Sequence, residues 1–357
     1  MKLRVGILGA TGAVGQKFVA LLTNHPWFEI SALAASERSA GKRYGDVVHW
    51  LEDTPLPSKV AKIEVQNAHE SLLECDFVFS GLDSSVAGQI EETYARAGYP
   101  VISNARNFRM NSDVPLLIPE VNSDHIKLID HQKWGSDGFI VTNPNCASVG
   151  LTMALKPLSD IFGIELVHVT TMQALSGAGY PGVSSLDAVA NVVPFISGEE
   201  EKVESEPLKM LGTLIGDAVQ NAAFRVSAQC TRVPVIDGHM ACVSVKLNTP
   251  DVSVQSAIRA ITGFVIPEEV SKLPGSPERA LVYLTDPTYP QPRRHVGLGG
   301  GMTVSVGRLR HCSILDLKFV CLVHNTVRGA AGGAILNAEL LASKGKLKHR
   351  VVVEAVN

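Results

Sequence analysis

The first third of the chain alternates short apolar runs with amphipathic stretches. Runs that are apolar throughout are typical of strands buried on both faces of a sheet. Five of them are predicted strands: Leu3–Leu8, Phe28–Ala35, Asp76–Gly81, Pro100–Ser103 and Phe139–Thr142. Helical periodicity over Ala13–Leu22 and Val86–Ala97 lies between these strands. Because alternating strands and helices favour parallel strands with right-handed crossovers, the pattern predicts an α/β domain with a Rossmann-like, doubly wound parallel sheet.

The pattern changes after residue 146. The later strand-like runs are longer and partly alternate between apolar and polar positions: Glu165–Gln173, Ala241–Leu247, Thr303–Arg308 and Leu315–Val323. Helices are predicted over about 148–163 and 253–264, and the small residues that open a last helix over Thr326–Ser343 would let it pack closely against the first domain. We therefore predict a second, α+β domain with a mainly antiparallel sheet. The predicted boundaries are 1–146 with 325–357, and 147–324.

Composition excludes several classes of protein. Of 357 residues, 45% are hydrophobic, which provides enough apolar surface for packed cores and argues against a disordered chain. The net charge of -3 gives no electrostatic reason to expect nucleic acid or a membrane surface as a partner. No apolar run approaches the roughly 20 residues that span a bilayer. Six cysteines without a CxxC pair or a His/Cys cluster predict neither a disulfide framework nor a metal site, and we expect a cytoplasmic protein.

A glycine-rich segment, GATGAVG at residues 9–15, follows the first predicted strand and opens the first predicted helix. In this context glycines permit a tight turn and bring backbone N–H groups against a pyrophosphate. The alternative is a glycine-rich turn without a ligand. The candidate cofactor contacts here are Gly9, Thr11, Gly12, Ala13 and Val14, together with Ser80 and Gly81 at the end of a later strand.

The residues after the second predicted strand bear on which dinucleotide binds. An NAD site has an acidic residue at the end of this strand, whereas here Ser36, Arg38 and Ser39 follow it. The Arg38 guanidinium can pair with a 2′-phosphate, and Lys42 can add a point charge. We therefore predict NADP, although Glu37 leaves NAD open and a solvated basic loop is the other interpretation.

Cys146 is the candidate nucleophile. It lies in the segment NPNC, between a predicted buried strand and a predicted helix. A helix N-terminus favours the thiolate, although a lone cysteine is more often a core residue. Its candidate base is His239, which follows an Asp-Gly turn at the start of a predicted strand. With eleven histidines in the chain, the pattern alone does not single out this one.

Seven segments spread over nearly the whole chain match one family: GATGAVG, SNARNFRM, NPNC, QALSGAGYPG, GEEEKVESEPLKMLG, RVPVIDGH and HNTVRGAAGGA. Through them the chain resembles the aspartate-β-semialdehyde dehydrogenases of archaea and fungi. The resemblance implies NADP-dependent, reversible reductive dephosphorylation of L-4-aspartyl phosphate to L-aspartate 4-semialdehyde. It also implies a place in lysine, threonine and methionine biosynthesis, inorganic phosphate as co-substrate, and a homodimer or homotetramer.

The resemblance further implies a covalent mechanism. The Cys146 thiolate attacks the aldehyde carbon to give a hemithioacetal, hydride passes to NADP⁺, and phosphate releases the acyl group from the thioester. His239 matches the family's acid/base, and Gln173 matches the residue that orients the acyl group.

Other family positions bind the substrates. Arg232 fits the substrate carboxylate, since a guanidinium can donate two hydrogen bonds to it, and Glu206 matches the residue for the ammonium group. Lys209, Arg109 and Asn145 match phosphate-binding positions. At the nicotinamide, Asn325 matches the residue that holds the carboxamide, although Asn there is also a good helix N-cap. The remaining candidates are Ser176 and Gly177, expected to form the wall beside the nicotinamide. Four charged residues fit a solvated helix face and receive no role: Glu199, Glu200, Glu201 and Lys202.

Alternative functions remain open from the sequence. Malonyl-CoA reductase shares the scaffold, but it needs neither an ammonium contact such as Glu206 nor a phosphate site with Lys209 and Asn145. N-acetylglutamyl-phosphate reductase shares the chemistry, but its substrate amine is acylated and uncharged. Cys146 and His239 could instead form a thiol hydrolase pair, for which a dinucleotide turn has no use. A non-catalytic NADP-binding regulator would keep its function without Cys146.

Overall fold

In the computed structural model, which describes residues 1–134 and 137–350, backbone contacts divide the chain into two units. The first unit comprises 1–115, 126–143 and the described residues from 334 on, and the second comprises 116–125 and 144–333. The predicted boundaries gave segments 116–125, 144–146 and 325–333 to the first domain, whereas the contacts place all three in the second unit. An ion pair between Glu120 and Arg328 joins the first of these segments to the last.

A parallel sheet of six strands forms the first unit. The strands are Leu3–Leu8 (β1), Phe28–Ala35 (β2), Val65–Asn67 (β3), Phe77–Ser80 (β4), Pro100–Ser103 (β5) and Phe139–Thr142 (β6). Their spatial order, β3-β2-β1-β4-β5-β6, is that of the Rossmann fold and confirms the predicted doubly wound sheet. Only β3 was not predicted, because three residues are too few for a periodic signal.

Helices pack on this sheet through aromatic side chains. Those of the first unit are Ala13–Leu22 (α1), Tyr44–Val47 (α2), Ser58–Ala61 (α3) and Ser84–Arg96 (α4). The α1 residue Phe18 stacks on Phe79 of β4 with ring centroids 4.5 Å apart. Helix α4 begins after Asp83, whose side chain accepts a hydrogen bond from the Ser85 N–H, a standard N-cap arrangement.

The second unit contains a mixed sheet of six strands and a two-stranded hairpin. The strands are Ile164–Gln173 (β7), Thr213–Ile215 (β8), Ala218–Gln220 (β9), Arg225–Arg232 (β10), His239–Leu247 (β11), Leu281–Leu284 (β12), Val304–His311 (β13) and Leu317–Val323 (β14). The large sheet has the order β10-β7-β11-β14-β13-β12, and β8 pairs with β9. Its central pairs are antiparallel, as predicted, while the edge strands β10 and β12, which were not predicted, run parallel to their neighbours.

The helices of the second unit are short, apart from the one that begins at Cys146. They are Pro119–Asn122 (α5), Cys146–Phe162 (α6), Ser185–Ala188 (α7), Glu200–Met210 (α8), Val254–Thr262 (α9), Glu268–Ser271 (α10) and Pro292–His295 (α11), with 3-10 turns at Leu175–Ala178 and Leu298–Gly301. A 3-10 segment, Ser123–His131, and the last helix, Gly332–Ser343 (α12), each begin in the second unit and continue into the first.

The predicted single helix over Thr326–Ser343 is wrong in its first part. Val327–Ala331 is a π-helical turn that precedes α12, with the Ala331 N–H bonded to the Thr326 carbonyl. Ala330 leaves helical geometry there, at φ -149°. Within residues 1–134 and 137–350, no helix is long and apolar enough to cross a membrane.

Candidate active site

Three adjacent strands of the second unit bring polar residues to one edge of the sheet. Gln173 ends β7, Arg232 ends the parallel neighbour β10, and the two are register partners. His239 begins β11, which runs antiparallel to β7 with Met240 opposite Met172. All three side chains are buried, which is unusual for such polar groups and requires hydrogen-bonded partners.

Cys146 is the first residue of α6, as predicted. Asn145 caps the helix, because its Oδ1 accepts hydrogen bonds from the N–H groups of Ala147 and Ser148 at 2.9 and 3.1 Å. The half-buried thiol therefore lies at a helix N-terminus, where the macrodipole stabilises a thiolate. Gly329 packs against it so closely that a Cβ at that position would lie 2.7 Å from the Cys146 Cβ.

The His239 ring is held in one tautomer. Its Nδ1 accepts a hydrogen bond from the Ala174 N–H at 3.0 Å, so a neutral ring carries its proton on Nε2. Burial and the nearby Arg232 charge lower the pKa of His239 to about 3, which keeps the ring neutral. Among the described residues, Nε2 has no hydrogen-bond partner, although it is buried. The ring thus presents an N–H donor that no acceptor in the described part of the chain receives.

Arg232 lies beside His239. Its Nη1 donates a hydrogen bond to the Ala174 carbonyl at 2.7 Å, so Ala174 contacts both residues. A Cβ at Gly177 would lie 2.8 Å from Arg232 Nη1 and 3.0 Å from His239 Nε2, so only glycine fits there. Burial lowers the pKa of Arg232, and the negative charges of Cys146 and Glu199 oppose that effect. The guanidinium is therefore a buried cation near the thiol.

Helix α8 turns a set of charged residues inwards. Glu206 accepts a hydrogen bond from the Asn145 backbone N–H through Oε2 at 2.7 Å. Glu206 and Lys209, one turn apart, are 2% and 3% exposed. Both side chains therefore lie inside the protein, and their binding roles stay predictions. Of the four residues expected on a solvated face, Glu201 is exposed.

Glu199, which received no role from the sequence, lies in the same cluster. It precedes α8 and is 5% exposed. Its Oε1 accepts hydrogen bonds from Asn145 Nδ2 at 2.8 Å and Gln173 Nε2 at 3.1 Å. Lys202 donates to its other oxygen at 2.9 Å. Burial alone would raise the pKa of Glu199, but Lys202 and the two amides outweigh burial and lower it.

Asn325 is not the helix N-cap that the sequence allowed. Thr326 precedes the π-helical turn instead. The Asn325 side chain donates through Nδ2 to Ser176 Oγ at 2.7 Å and accepts from the Gly238 N–H at 2.8 Å. It therefore links the segment before His239 to the turn that contains Gly177.

The glycine-rich turn of the first unit has the geometry of an anion site. Gly9 has φ +75°, and a Cβ at Gly15 would lie 2.3 Å from the Gly9 carbonyl oxygen. A Cβ at Gly9 would likewise lie 2.8 Å from the Gly81 carbonyl oxygen, so the ends of β1 and β4 meet here. Among the described residues, no side chain caps α1 after Gly12. Its first N–H groups therefore suit a phosphate, which fits a dinucleotide.

The residues after β2 are open to solvent. Ser36 and Arg38 are exposed and Ser39 is half-buried, in a turn closed by the Ser39 N–H and the Ser36 carbonyl. Since β2 pairs with β1 in parallel, this turn lies at the same sheet edge as the glycine-rich turn. An exposed guanidinium at this place can reach a 2′-phosphate without losing an ion pair, since none is found for Arg38 among the described residues.

Two family models cover most of the chain. The model for the NAD binding domain of semialdehyde dehydrogenases matches residues 4–129, and the model for their dimerisation domain matches residues 155–328. Aspartate-semialdehyde dehydrogenase of Archaeoglobus fulgidus is 50% identical over 96% of this chain and 98% of its own length. The chain belongs to the aspartate-semialdehyde dehydrogenase family.

Relatives of this family from fungi are similar over the same length. Aspartate-semialdehyde dehydrogenase of Schizosaccharomyces pombe is 46% identical over 96% of this chain and 98% of its own length. The crystal structure of the Candida albicans aspartate-semialdehyde dehydrogenase with NADP has a TM-score of 0.89 at 43% identity, covering 97% of this chain and all of that one. The archaeal and fungal resemblance is thereby confirmed.

The three predicted phosphate contacts are divided between the two units. Arg109 belongs to the first unit, where it is buried and its Nη2 donates to the Asn104 carbonyl at 2.7 Å. Asn145 and Lys209 belong to the second unit. Grouping Arg109 with them around a phosphate stays a prediction. Ser80, also in the first unit, is fully buried at the end of β4.

A buried ion pair near Cys146 could not be predicted from the sequence. Arg328 and Glu120 form a doubly hydrogen-bonded ion pair, with both N–O distances 2.6 Å. The pair anchors the π-helical turn whose Gly329 packs on Cys146. No pattern indicated it, because 208 residues separate the partners. The glycines and alanines after Arg328 were the only signal of close packing there.

Proposed function

We propose that the chain catalyses NADP- and phosphate-dependent interconversion of L-aspartate 4-semialdehyde and L-4-aspartyl phosphate through a thioester on Cys146. The observation that carries this proposal is the thiol at the start of α6, in one unit with the buried Arg232 cation and a His239 N–H donor. That donor has no partner among residues 1–134 and 137–350. A covalent aldehyde oxidation needs a nucleophile, a donor for the developing oxyanion and a group that holds the substrate.

The reaction proceeds through bonds that the Cys146 sulfur forms and breaks with the aldehyde carbon. The thiolate forms a C–S bond to the aldehyde carbon, and the carbonyl electrons move to oxygen to give an oxyanion. When bound, NADP⁺ supplies the acceptor for the hydride that leaves this carbon. The carbonyl re-forms as a thioester on Cys146. A phosphate oxygen then attacks, the C–S bond breaks, and aspartyl phosphate leaves the regenerated thiolate.

His239 has a defined task in this scheme. Its Nε2–H donates a hydrogen bond to the oxygen that becomes negative, so the ring stabilises the tetrahedral intermediate. Acting also as acid or base requires its pKa to rise from about 3. A thiolate and an oxyanion beside the ring would raise it, because negative charge favours the imidazolium.

Arg232 suits the substrate carboxylate. A guanidinium carries five N–H donors, of which one is used by the Ala174 carbonyl, and two parallel donors can hold a carboxylate. Glu206 can add an ammonium contact to its bond from Asn145, because a carboxylate offers about four lone pairs. Lys209, Asn145 and Arg109 remain the proposed phosphate contacts.

We infer that NADP binds the first unit. The glycine-rich turn would hold the pyrophosphate, and Ser36, Arg38 and Ser39, at the same sheet edge, would contact the 2′-phosphate. The Candida albicans relative, solved with NADP, supports this choice. Asn325, Ser176 and Gly177 would contact the nicotinamide.

The proposal extends to the pathway, the compartment and the oligomeric state. We propose that the enzyme acts in lysine, threonine and methionine biosynthesis and in the cytoplasm. The match to a dimerisation domain supports a homodimer or homotetramer.

The test measures NADPH formation with L-aspartate 4-semialdehyde, with and without inorganic phosphate. We expect reduction of NADP⁺ that depends on phosphate, and its near-complete loss in Cys146→Ser, because an alkoxide is far harder to form than a thiolate. Cys242→Ser is the matched control, since Cys242 is exposed and lies in the middle of the sheet strand β11. NADPH oxidation by malonyl-CoA without reaction of the semialdehyde would refute the proposal.

A further inference from the structure

We propose that Glu199 is a positioning residue, which orients the side chains of Gln173 and Asn145 around Cys146. This inference rests on the proposed function, in which Cys146 is the nucleophile. It assigns a role to a carboxylate that neither binds substrate nor belongs to the nucleophile, donor and cation described above.

Glu199 sets the orientation of the Gln173 amide. This amide faces Glu199 Oε1 at 3.1 Å. A carboxylate only accepts hydrogen bonds, so the amide nitrogen must be the atom that faces it. The amide oxygen of Gln173 is then turned away from Glu199. Thr171 Oγ1 also accepts from this nitrogen at 3.3 Å, but a hydroxyl can donate as well as accept. The negative oxygen of Glu199 is therefore what distinguishes the two orientations of the amide.

Glu199 also holds the side chain of Asn145, the residue immediately before the nucleophile. The same Glu199 oxygen accepts from Asn145 Nδ2 at 2.8 Å. With the nitrogen held there, Oδ1 faces the N–H groups of Ala147 and Ser148 and caps α6. Glu199 thus fixes the cap of the helix that carries Cys146 as well as the Gln173 amide.

The charge of Glu199 is maintained inside the protein. Its second oxygen accepts from Lys202 Nζ at 2.9 Å, so both oxygens are used. Two amide donors converge on Oε1 and one ammonium on Oε2. This arrangement needs an acceptor at both positions, which glutamate provides and glutamine does not.

The test compares Glu199→Gln with Glu201→Gln. Both remove one negative charge at the start of the same helix, but Glu201 is exposed. In Glu199→Gln, the new amide has two orientations. If its oxygen faces the Asn145 and Gln173 amides, its NH₂ group faces the Lys202 ammonium. If its oxygen faces Lys202, its NH₂ group faces the two amide nitrogens. Either way donors meet donors. We expect kcat with aspartate semialdehyde to fall about 10- to 100-fold, because small misplacements of reacting groups have effects of this size.

The Michaelis constant separates positioning from binding. Arg232 and Glu206, the proposed semialdehyde contacts, keep their own hydrogen bonds in Glu199→Gln. We therefore expect KM for the semialdehyde to stay within about 3-fold of the unmodified enzyme, and Glu201→Gln to match the unmodified enzyme in both constants.

A second substitution provides a rescue. In Glu199→Gln with Lys202→Met, the conflicting ammonium is gone, and the glutamine oxygen can accept from both amides. We expect this double variant to recover most of the lost kcat. If the two substitutions merely disturbed the fold independently, their losses would add, and kcat would fall further. The double variant also lacks the half-buried Lys202 ammonium that Glu199→Gln leaves without its counter-charge, so the test does not depend on the stability of the single variant.

The outcomes distinguish the two proposals. If the unmodified enzyme reduces NADP⁺ with aspartate semialdehyde but Glu199→Gln matches Glu201→Gln, the positioning role is refuted and the proposed function stands. A rise in KM at constant kcat, or no rescue by Lys202→Met, also refutes it. An unmodified enzyme without this activity refutes the proposed function, and the positioning role falls with it.

Discussion

Loss of one partner from the buried ion pair between Glu120 and Arg328 should destabilise the protein strongly. The side chains are 0% and 1% exposed, and Nη1 and Nη2 of the guanidinium each donate to one carboxylate oxygen at 2.6 Å. Glu120→Gln keeps the size of the side chain but leaves the guanidinium buried without its counter-charge. Removing one partner of such a pair costs about 3–5 kcal/mol. We expect a loss of unfolding free energy in this range.

The experiment uses urea-induced unfolding, followed by circular dichroism at a fixed protein concentration. Glu268→Gln is the matched control, because Glu268 pairs with Lys272 at the surface, with side chains 83% and 70% exposed. Exposed pairs contribute at most about 1 kcal/mol, so this variant should unfold almost like the unmodified enzyme. Replacing both Glu120 and Arg328 by Leu and Met should cost less than Glu120→Gln, since no buried charge is left unpaired.

The same variant should slow catalysis. Arg328 belongs to the π-helical turn whose Gly329 packs against Cys146, so a loosened turn loosens the backbone behind the thiol. If Glu120→Gln and Glu268→Gln lose equal stability, the argument from burial is wrong. If stability falls but kcat is unchanged, the turn supports the fold without positioning Cys146.

Other predictions concern the two binding sites and the buried histidine. Arg232→Lys should raise KM for the semialdehyde and leave NADP affinity, measured by calorimetry, unchanged, because an ammonium cannot donate two parallel hydrogen bonds to a carboxylate. Arg38→Ala should weaken NADP about 10- to 100-fold but not NAD, the size expected for loss of a charged hydrogen bond. His239 is neutral when folded and has its pKa lowered from 6.5 to about 3. Its contribution to stability is therefore complete above about pH 6.5 and declines as pH falls towards 3, by up to ~1.4 kcal/mol per pH unit, and His239→Gln should show a flatter dependence.

Each of these has an outcome that contradicts it. Unchanged semialdehyde KM in Arg232→Lys would remove Arg232 from the carboxylate site. Equal losses of NADP and NAD affinity in Arg38→Ala would exclude a 2′-phosphate contact. The unfolding free energy would be measured with urea between pH 7 and pH 4. If it falls with pH equally steeply in His239→Gln and in the unmodified enzyme, the buried ring is not the group that titrates.

Much of the first unit could be predicted from the sequence, because its parallel strands are apolar throughout and their order follows the Rossmann pattern. The errors lie where short-range patterns carry little information. The strand Arg225–Arg232 was missed because its residues are polar and its stability comes from pairing with Ile164–Gln173. The π-helical turn at Val327–Ala331 was predicted as α-helix, since small residues favour both and packing on Cys146 decides between them.

Site features that depend on local sequence could likewise be predicted, whereas those that depend on distant residues could not. The position of Cys146 at a helix start and of His239 at a strand start could be predicted, because turns and caps are encoded locally. The partners of Glu199 could not, since Asn145 and Gln173 are 54 and 26 residues away. A run of glutamates and one lysine is typical of a solvated helix face, and only the tertiary structure turns Glu199 and Glu206 inwards.

The arrangement at Ala174 shows why the strand register matters for the proposed chemistry. Arg232 donates to the Ala174 carbonyl, and the Ala174 N–H donates to His239. Both bonds depend on β10 and β11 flanking β7 so that their ends meet at Gln173. One backbone residue thus holds the proposed carboxylate ligand and fixes the tautomer of the proposed oxyanion donor. Moving the Arg232 cation should therefore disturb His239 as well, so the loss in Arg232→Lys should extend from KM to kcat.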